Sequence, residues 1–296
     1  MPGLKDVKDK INGIKKTAQI TKAMNMVASA KLRGAQEKME RFRPYASRFA
    51  LAMRDLSAGA GVASADQPLM EVREVRKVEI IVITSDRGLA GSFNANIVKE
   101  AEQLRRKYEA AGKSVSYVTV GRKAYQGLRR SDKIRMRFND IMGSFQMFNA
   151  REIAQTVTEA FLAGDADQVD LVYGKFYSVA VQRPEIEQLL PIQPVAASES
   201  EEADEVAGAG GAYIYEPDPN EILGVLLPLY LNVQLYHGML EVGASEHAAR
   251  MTAMDNATKA CKDMVEDLTR LFNKARQAAV TNELIDIVGG AEALRG

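Results

Sequence analysis

The stretch LKDVKDKINGIKKTAQITKAMNMVASAKL, residues 4–32, decides how the chain is built. Its apolar and small residues recur at alternating intervals of three and four: Leu4, Val7, Ile11, Ile14, Ala18, then Thr21 and Asn25, then Ala28 and Leu32. The spacing continues through Ala35, Met39, Phe42, Ala46, Phe49, Met53 and Leu56, with polar side chains only at Thr21 and Asn25. A register held over about seven heptads is coiled-coil patterning, because only a narrow seam facing another helix demands it for so long. Pro44 lies inside the pattern and predicts a bend, since it withdraws a backbone donor.

The other end of the chain behaves alike. One seam runs through Ile222, Leu226, Leu229, Val233, Tyr236, Leu240, Gly243, His247, Arg250, Met254, Ala257, Cys261, Met264, Leu268, Leu271, Ala275, Ala278, Asn282 and Ile285, weakest from Gly243 to Arg250. Pro217 and Pro219 before it and Gly289-Gly290 after it read as start and stop signals. Pro228 predicts that the first turns are kinked or separate. At ~1.5 Å rise per residue the first helix extends about 80 Å, and the second about 100 Å if continuous to Val288, so the second outreaches the first. Its last part, from Ala278 to Leu294, is apolar around much of its circumference, and a helix of that kind needs enclosure.

Between the helices the pattern changes. Val78 to Thr84 (VEIIVIT) is a β-branched run followed by a Gly-containing turn and a helical segment near Ala95 to Ala111. Val115 to Val120 leads into a helix near Lys123 to Arg130, Arg151 to Leu162 reads as helix, and Val169 to Tyr177 and Val179 to Ile192 read as strands. The fold class is therefore α/β: a long antiparallel coiled coil of N- and C-terminal helices (1–58 and 220–288) plus a small Rossmann-like α/β domain (76–195). Glu199 to Glu205 and Ala207 to Ala212 fall in an acidic, Gly-rich loop over 196–219.

Composition narrows the function. With 46% hydrophobic residues in 296, the chain is ample for a folded core. Its 39 basic and 39 acidic side chains cancel but are unevenly placed: residues 1–50 hold 12 Lys/Arg against 4 Asp/Glu, and residues 184–249 hold 12 acids and no Lys or Arg. The two stretches face different surroundings. One cysteine, Cys261, excludes an intrachain disulfide and a multi-thiolate metal site, and points to a reducing compartment. No N-terminal signal or transit pattern is expected. The most apolar window, Ile222 to Leu231, is interrupted by Gly224 and Pro228 and is far short of the ~20 residues of a spanning helix, so membrane association comes only through partners.

Motifs with chemical potential are few. The turn from Ser85 to Ser92 (SDRGLAGS) lies between a strand and a helix, where backbone amides can approach a phosphate. It lacks the G-x-G-x-x-G spacing, a following Gly-Lys-Ser/Thr and a ribose-binding carboxylate, which favours a structural turn over a nucleotide site. His237 and His247 are ten residues apart, too far to share one helix face as metal ligands. Cys261 reads as a small seam residue, and Met24, Met26, Met251, Met254 and Met264 as packing on helical faces. Lys5, Lys8, Lys10, Lys15, Lys16, Lys22, Lys31 and Arg33 line the first helix without any nucleic-acid fold signature, so they read as a solvated face or a contact with an acidic protein. No cofactor, metal or nucleic acid is expected.

The run Val280 to Ala293 (VTNELIDIVGGAEA) resembles the C-terminal signature of ATP synthase gamma subunits: an aliphatic residue, Thr and Glu, an acid three residues on, and a Gly-Ala near the end. Ile20 to Ala28 (ITKAMNMVA), Thr84 to Asn94 (TSDRGLAGSFN), Ala249 to Met254 and Asn273 to Ala278 are similar to the same family, so the resemblance covers essentially the whole chain. It implies a non-catalytic central rotor shaft of a proton-driven ATP synthase, bacterial in type, peripheral on the cytoplasmic face of the inner membrane. The implied partners are a ring of alpha and beta subunits around the coiled coil, and the epsilon subunit and c-ring at the α/β foot. Met24, Arg250, Gln277, Thr281 and Glu283 match rotor–stator contacts of the family; Val280, Leu284, Ile285 and Val288 fall in a C-terminal bearing. The rival readings are an α/β nucleotide-binding module with coiled-coil arms and a dimeric coiled-coil scaffold.

Overall fold

The computed structural model describes residues 4–59, 67–193 and 219–293. The elements run α1 (Leu4–Gly59), β1 (Lys77–Ile83), α2 (Phe93–Ala110), β2 (Ser114–Val120), α3 (Arg122–Leu128), β3 (Ile134–Phe138), α4 (Met147–Leu162), β4 (Gln168–Phe176), β5 (Gln182–Leu190) and α5 (Pro219–Ala293). They form two compact units: Met1–Ser29 with Arg250–Gly296, and Ala30–Ala249.

In the first unit α1 and α5 run antiparallel. Their direction and register are fixed where α1 is polar: one hydroxyl of the Thr21 and Thr258 pair donates to the other at 2.7 Å, and Asn25 Nδ2 donates to the Met251 carbonyl at 2.8 Å. Each such bond has a net worth of about 1 kcal/mol and is available only in this register, so the two polar seam residues select the alignment that the aliphatic ones allow. All sixteen α1 seam positions, counted through both units, are buried or half-buried.

The α5 seam needs correction. Beyond Cys261 the covered positions are Val265, Leu268, Phe272, Ala275 and Ala279, while Met264, Leu271 and Ala278 are exposed. Both patterns share Leu268 and Ala275, and the aliphatic residues on either side leave the sequence degenerate by one residue. The structure puts the Phe272 ring, not Leu271, on the covered side.

The second unit is built on a sheet of order β3-β2-β1-β4-β5, parallel except for β5, which returns antiparallel on β4. β1 is central and buried from Val78 to Ile83. Its one buried charge, Glu79, is 1% exposed and is held by Arg135 of β3, with Nε 2.5 Å from Oε1 and Nη2 2.8 Å from Oε2. β3 escapes the sequence reading, although IRMRF alternates with period two. Its charged outward positions belong to an edge strand and dilute the apolar signal. The second strand of the β4–β5 hairpin starts at Gln182, not Val179, because residues 177–181 make the turn.

α5 covers this sheet with Leu223, Leu227, Leu231, Leu235, Met239 and Val242, all buried, a stripe one to two positions off the expected Ile222, Leu226, Leu229 and Val233 series, of which Val233 is buried as well. The helix approaches closely at Gly238, where a Cβ would lie 3.2 Å from Leu171 Cδ2. Phe42 of α1 meets Tyr236 of α5 edge-on at 4.9 Å, and Phe49 stacks near Tyr230 at 6.3 Å.

Both long helices run through their internal prolines. α1 passes through Pro44, and α5 passes through Pro228 without a separate first segment. Both prolines are exposed, so the carbonyls they leave without a helical donor face water. Likewise α5 continues past Gly289-Gly290 to Ala293. α5 also holds an 18-residue window of mean hydropathy 1.2, enough by length and composition for a membrane span, whereas the sequence reading found no such run. Of that window, 39% is buried within the protein. The acidic loop expected over 196–219 lies outside the described residues except for Pro219, the first residue of α5.

Gly121, with φ of +91°, follows β2 so closely beneath β1 that a Cβ there would lie 2.2 Å from the Thr84 carbonyl oxygen. Gly121→Ala is expected to lower the urea midpoint by the equivalent of at least ~2 kcal/mol, against about 1 kcal/mol for Gly112→Ala, whose positive φ opens onto empty space. Equal losses at both positions would contradict this packing.

Candidate functional site

Two regions stand out, and they are unlike. The first is the turn after β1, at the point where the strand order reverses and open α/β sheets most often bind ligands. Here an open cleft of about 530 Å³, lined by Gly88 to Gly91, Asn94 and Lys123, lies beside a carboxylate of the protein's own. Asp86 Oδ1 accepts the backbone N–H groups of Arg122 (2.8 Å) and Asp140 (2.9 Å), and Oδ2 accepts that of Met142 (2.9 Å). One carboxylate thus ties together the loops after β1, β2 and β3. Asn94 Oδ1 accepts both the N–H and the hydroxyl of Ser85 at 3.0 Å, and Thr84 Oγ1 accepts the Ala124 amide at 2.7 Å. Amides that a phosphate would use at the α3 end of this crevice are already taken by a side-chain anion, which supports the structural reading of the SDRGLAGS turn.

The second region is the C-terminal part of α5 in the first unit. From Val280 to Ala291 every residue is exposed, although Val280, Leu284, Ile285, Ile287 and Val288 are 49%, 57%, 62%, 67% and 60% accessible. The last half-covered position is Ala279, and Leu4 at the start of α1 is itself half-buried, so the seam ends where α1 begins. At 100° per residue these five side chains span an arc of about 160°, and Asn282, Glu283 and Asp286 occupy the other side. The tail is therefore amphipathic, with its aliphatic arc covering less of the circumference than expected. Gln277 and Thr281 fall inside the apolar arc, with Thr281 Oγ1 donating to the Gln277 carbonyl at 2.9 Å.

The five candidate contact residues do not converge. Met24, half-buried, and Arg250, 9% exposed, lie at one level of the antiparallel pair, next to the Asn25–Met251 bond. Gln277, Thr281 and Glu283 are exposed farther along α5, with Glu283 on the polar arc. Such an arrangement makes no pocket and no proton relay. It offers surfaces at separate levels of one pair of helices. Among the described residues no group of three or more His, Cys, Asp or Glu is placed to hold a metal ion.

Comparison with known proteins decides the family. The family model described as ATP synthase matches residues 3–294. The ATP synthase gamma chain of Desulfotalea psychrophila is 61% identical over 295 residues, covering 100% of both chains. The chain belongs to the ATP synthase gamma chain family. A second relative, the gamma chain of Nitratidesulfovibrio vulgaris strain Miyazaki F, is 52% identical over 298 residues and also covers both chains fully. Among solved structures, a chain of the Tetrahymena thermophila mitochondrial ATP synthase central stalk and c-ring matches with TM-score 0.61 and 26% identity, over 80% of this chain and 99% of that one. A chain of the Euglena gracilis mitochondrial ATP synthase matches with TM-score 0.67 over 98% and 94% at 21% identity, which speaks for the shared fold.

The role of Asp86 was hidden from sequence reasoning, because a lone Asp in a Gly-containing turn is ordinary turn chemistry. Its three acceptor contacts predict that Asp86→Asn, which presents an amide nitrogen to one of the three donors, lowers stability by about 1–3 kcal/mol. The Arg122, Asp140 and Met142 amides should lose protection from hydrogen exchange. Unchanged protection at all three would show that Asp86 is not the clasp.

Proposed function

We propose that this chain is the central shaft of a rotary ATP synthase, transmitting torque between a proton-driven c-ring and a surrounding ring of alpha and beta subunits. The observation that carries this reading is the α5 tail, an apolar arc exposed among the described residues, in a chain whose family is that of ATP synthase gamma chains. Fully covering an aliphatic side chain is worth roughly 1.5–3 kcal/mol, so a tail presenting five of them is a strong driving force for insertion into an apolar sleeve. The ring of alpha and beta subunits supplies that sleeve. The sheet unit serves as the foot, with epsilon and the c-ring as its partners, and the assembly holds the chain peripherally on the cytoplasmic face of a bacterial inner membrane.

The part played by the chain is mechanical. A catalytic subunit changes its affinity for nucleotide only by as much as its contacts with the shaft differ between rotational positions. The shaft must therefore be asymmetric, and α5 is: Gln277 and Thr281 share the apolar arc, while Glu283 and Asp286 present charge on the other. We assign Met24 and Arg250 to one level of rotor–stator contact and Gln277, Thr281 and Glu283 to another, with Val280, Leu284, Ile285 and Val288 as the bearing. Lys5, Lys8, Lys10, Lys15, Lys16 and Lys22, all exposed on α1, suit acidic loops of the beta subunits.

Replacing Ile285 and Val288 together with Asp tests this. It removes several kcal/mol of apolar burial at the sleeve and adds two charges to be desolvated. The double variant should express as a folded chain with normal hydrogen-exchange protection in the sheet unit, yet assemble poorly or couple proton flow to ATP synthesis inefficiently in membranes. Normal complex yield with normal ATP synthesis would refute the bearing.

A further inference from the structure

Glu241 of α5 is only 5% exposed and makes two contacts within the sheet unit. Its Oε2 accepts the backbone N–H of Phe176, the last residue of β4, at 2.7 Å. Its Oε1 stands 3.5 Å from Nε2 of His237, one helical turn earlier. His237 in turn lines a cleft of about 320 Å³ with Tyr173 and Lys175 of β4, Glu185 and Glu187 of β5 and Gln234 of α5. This carboxylate joins a helix to the end of a strand, and its neighbour is a side chain that changes charge near neutral pH.

We propose that His237 and Glu241 form a proton-sensitive latch that holds α5 on β4, closed while His237 is neutral and opened when it takes up a proton. A neutral imidazole leaves Glu241 committed to the Phe176 amide. An imidazolium competes for that carboxylate, and with its side chain only 29% exposed at the cleft it is incompletely hydrated in the closed packing.

The surrounding charges fix the sign. Burial disfavours the imidazolium more than Glu241 favours it, and Lys175 of β4 and Arg43 of α1 repel it, so proton affinity at His237 is held below the ordinary value of 6.5. A state with α5 lifted and His237 hydrated binds the proton more readily. The latch is therefore at full strength above pH 6.5 and weakens as pH falls through the depressed folded-state pKa. Glu185 is engaged by Lys175 at 3.3 Å and by the Tyr177 hydroxyl at 3.0 Å. Glu187, bonded to the Tyr173 hydroxyl, has its pKa raised by burial, so it has the opposite sign: acid tightens the folded state there. The two titrations are separable by substitution. That latch opening would soften torque transfer rests on the shaft reading; the latch itself does not.

The direct readout is hydrogen exchange at the Phe176 amide in the full chain, normalised to the buried Ile81 amide. In the wild type, protection of Phe176 should drop about threefold or more between about pH 7.5 and about pH 5.5. His237→Gln should hold it constant, and Glu187→Gln should keep the wild-type drop. Glu241→Ala should remove the protection at both pH values. A wild-type response that is flat, that survives His237→Gln, or that disappears with Glu187→Gln overturns the proposal, as does protection that outlasts Glu241→Ala. Should a variant fail to fold, NMR titration of the His237 ring in the wild type decides: a pKa below 6.5 supports the latch, and one at or above 6.5 overturns it.

Discussion

A coiled-coil seam is covered only as far as its shorter helix reaches, and the rest of this molecule follows from where that happens. The Thr21–Thr258 and Asn25–Met251 contacts lock α1 against α5 in one antiparallel register, and in that register α1 ends opposite the turn that carries Ala279. Everything beyond is a helix with an apolar arc that no other described residue covers. A slip of one heptad would cover or bare a further two turns of α5, so two modest polar contacts set how much of the tail is left to other subunits. The length difference and the register together make this end of the chain something to be enclosed.

The sheet unit follows a different logic, in which buried or half-buried carboxylates act as internal anions. Asp86 collects three loop amides at the crevice that related architectures open to ligands. Glu79 is neutralised by Arg135 across β1, β2 and β3, and Glu241 ties α5 to β4. Each consumes donors that a soluble ligand would otherwise need. The Rossmann-like topology is thus retained, while Asp86 takes loop amides at the point where the strand order reverses.

Much of this was legible in the sequence, for identifiable reasons. The α1 seam was readable at all sixteen positions because its polar neighbours are unambiguous; only one stripe of the helix is apolar. α5 was readable as a helix but not in phase. Over Ile222 to Leu231 and again over Met264 to Ala279 apolar residues stand side by side, and only the packed partner selects Leu223 over Ile222 and Phe272 over Leu271. β1, β2 and β4 announced themselves as β-branched runs, whereas β3 is a five-residue edge strand with two arginines. Gly289-Gly290 misled as a stop, and at Pro228 the alternative of a separate first segment failed, since an exposed helix face lets water satisfy what the helix cannot. The candidate contacts Met24, Arg250, Gln277, Thr281 and Glu283 came from family resemblance, and nothing in their individual chemistry would have singled them out. Asp86 and Glu241 were invisible because their partners are backbone amides far away in sequence.

The central claim is that the α5 tail is bare in the isolated chain and enclosed in the working assembly. Thiol labelling of Ile285→Cys, in a background where Cys261 is replaced by Ser, measures this directly. The account predicts rapid reaction with a maleimide in the isolated chain and a rate lowered about tenfold or more in the assembled ATP synthase, where surrounding protein restricts access. Equal rates in the two states would contradict it.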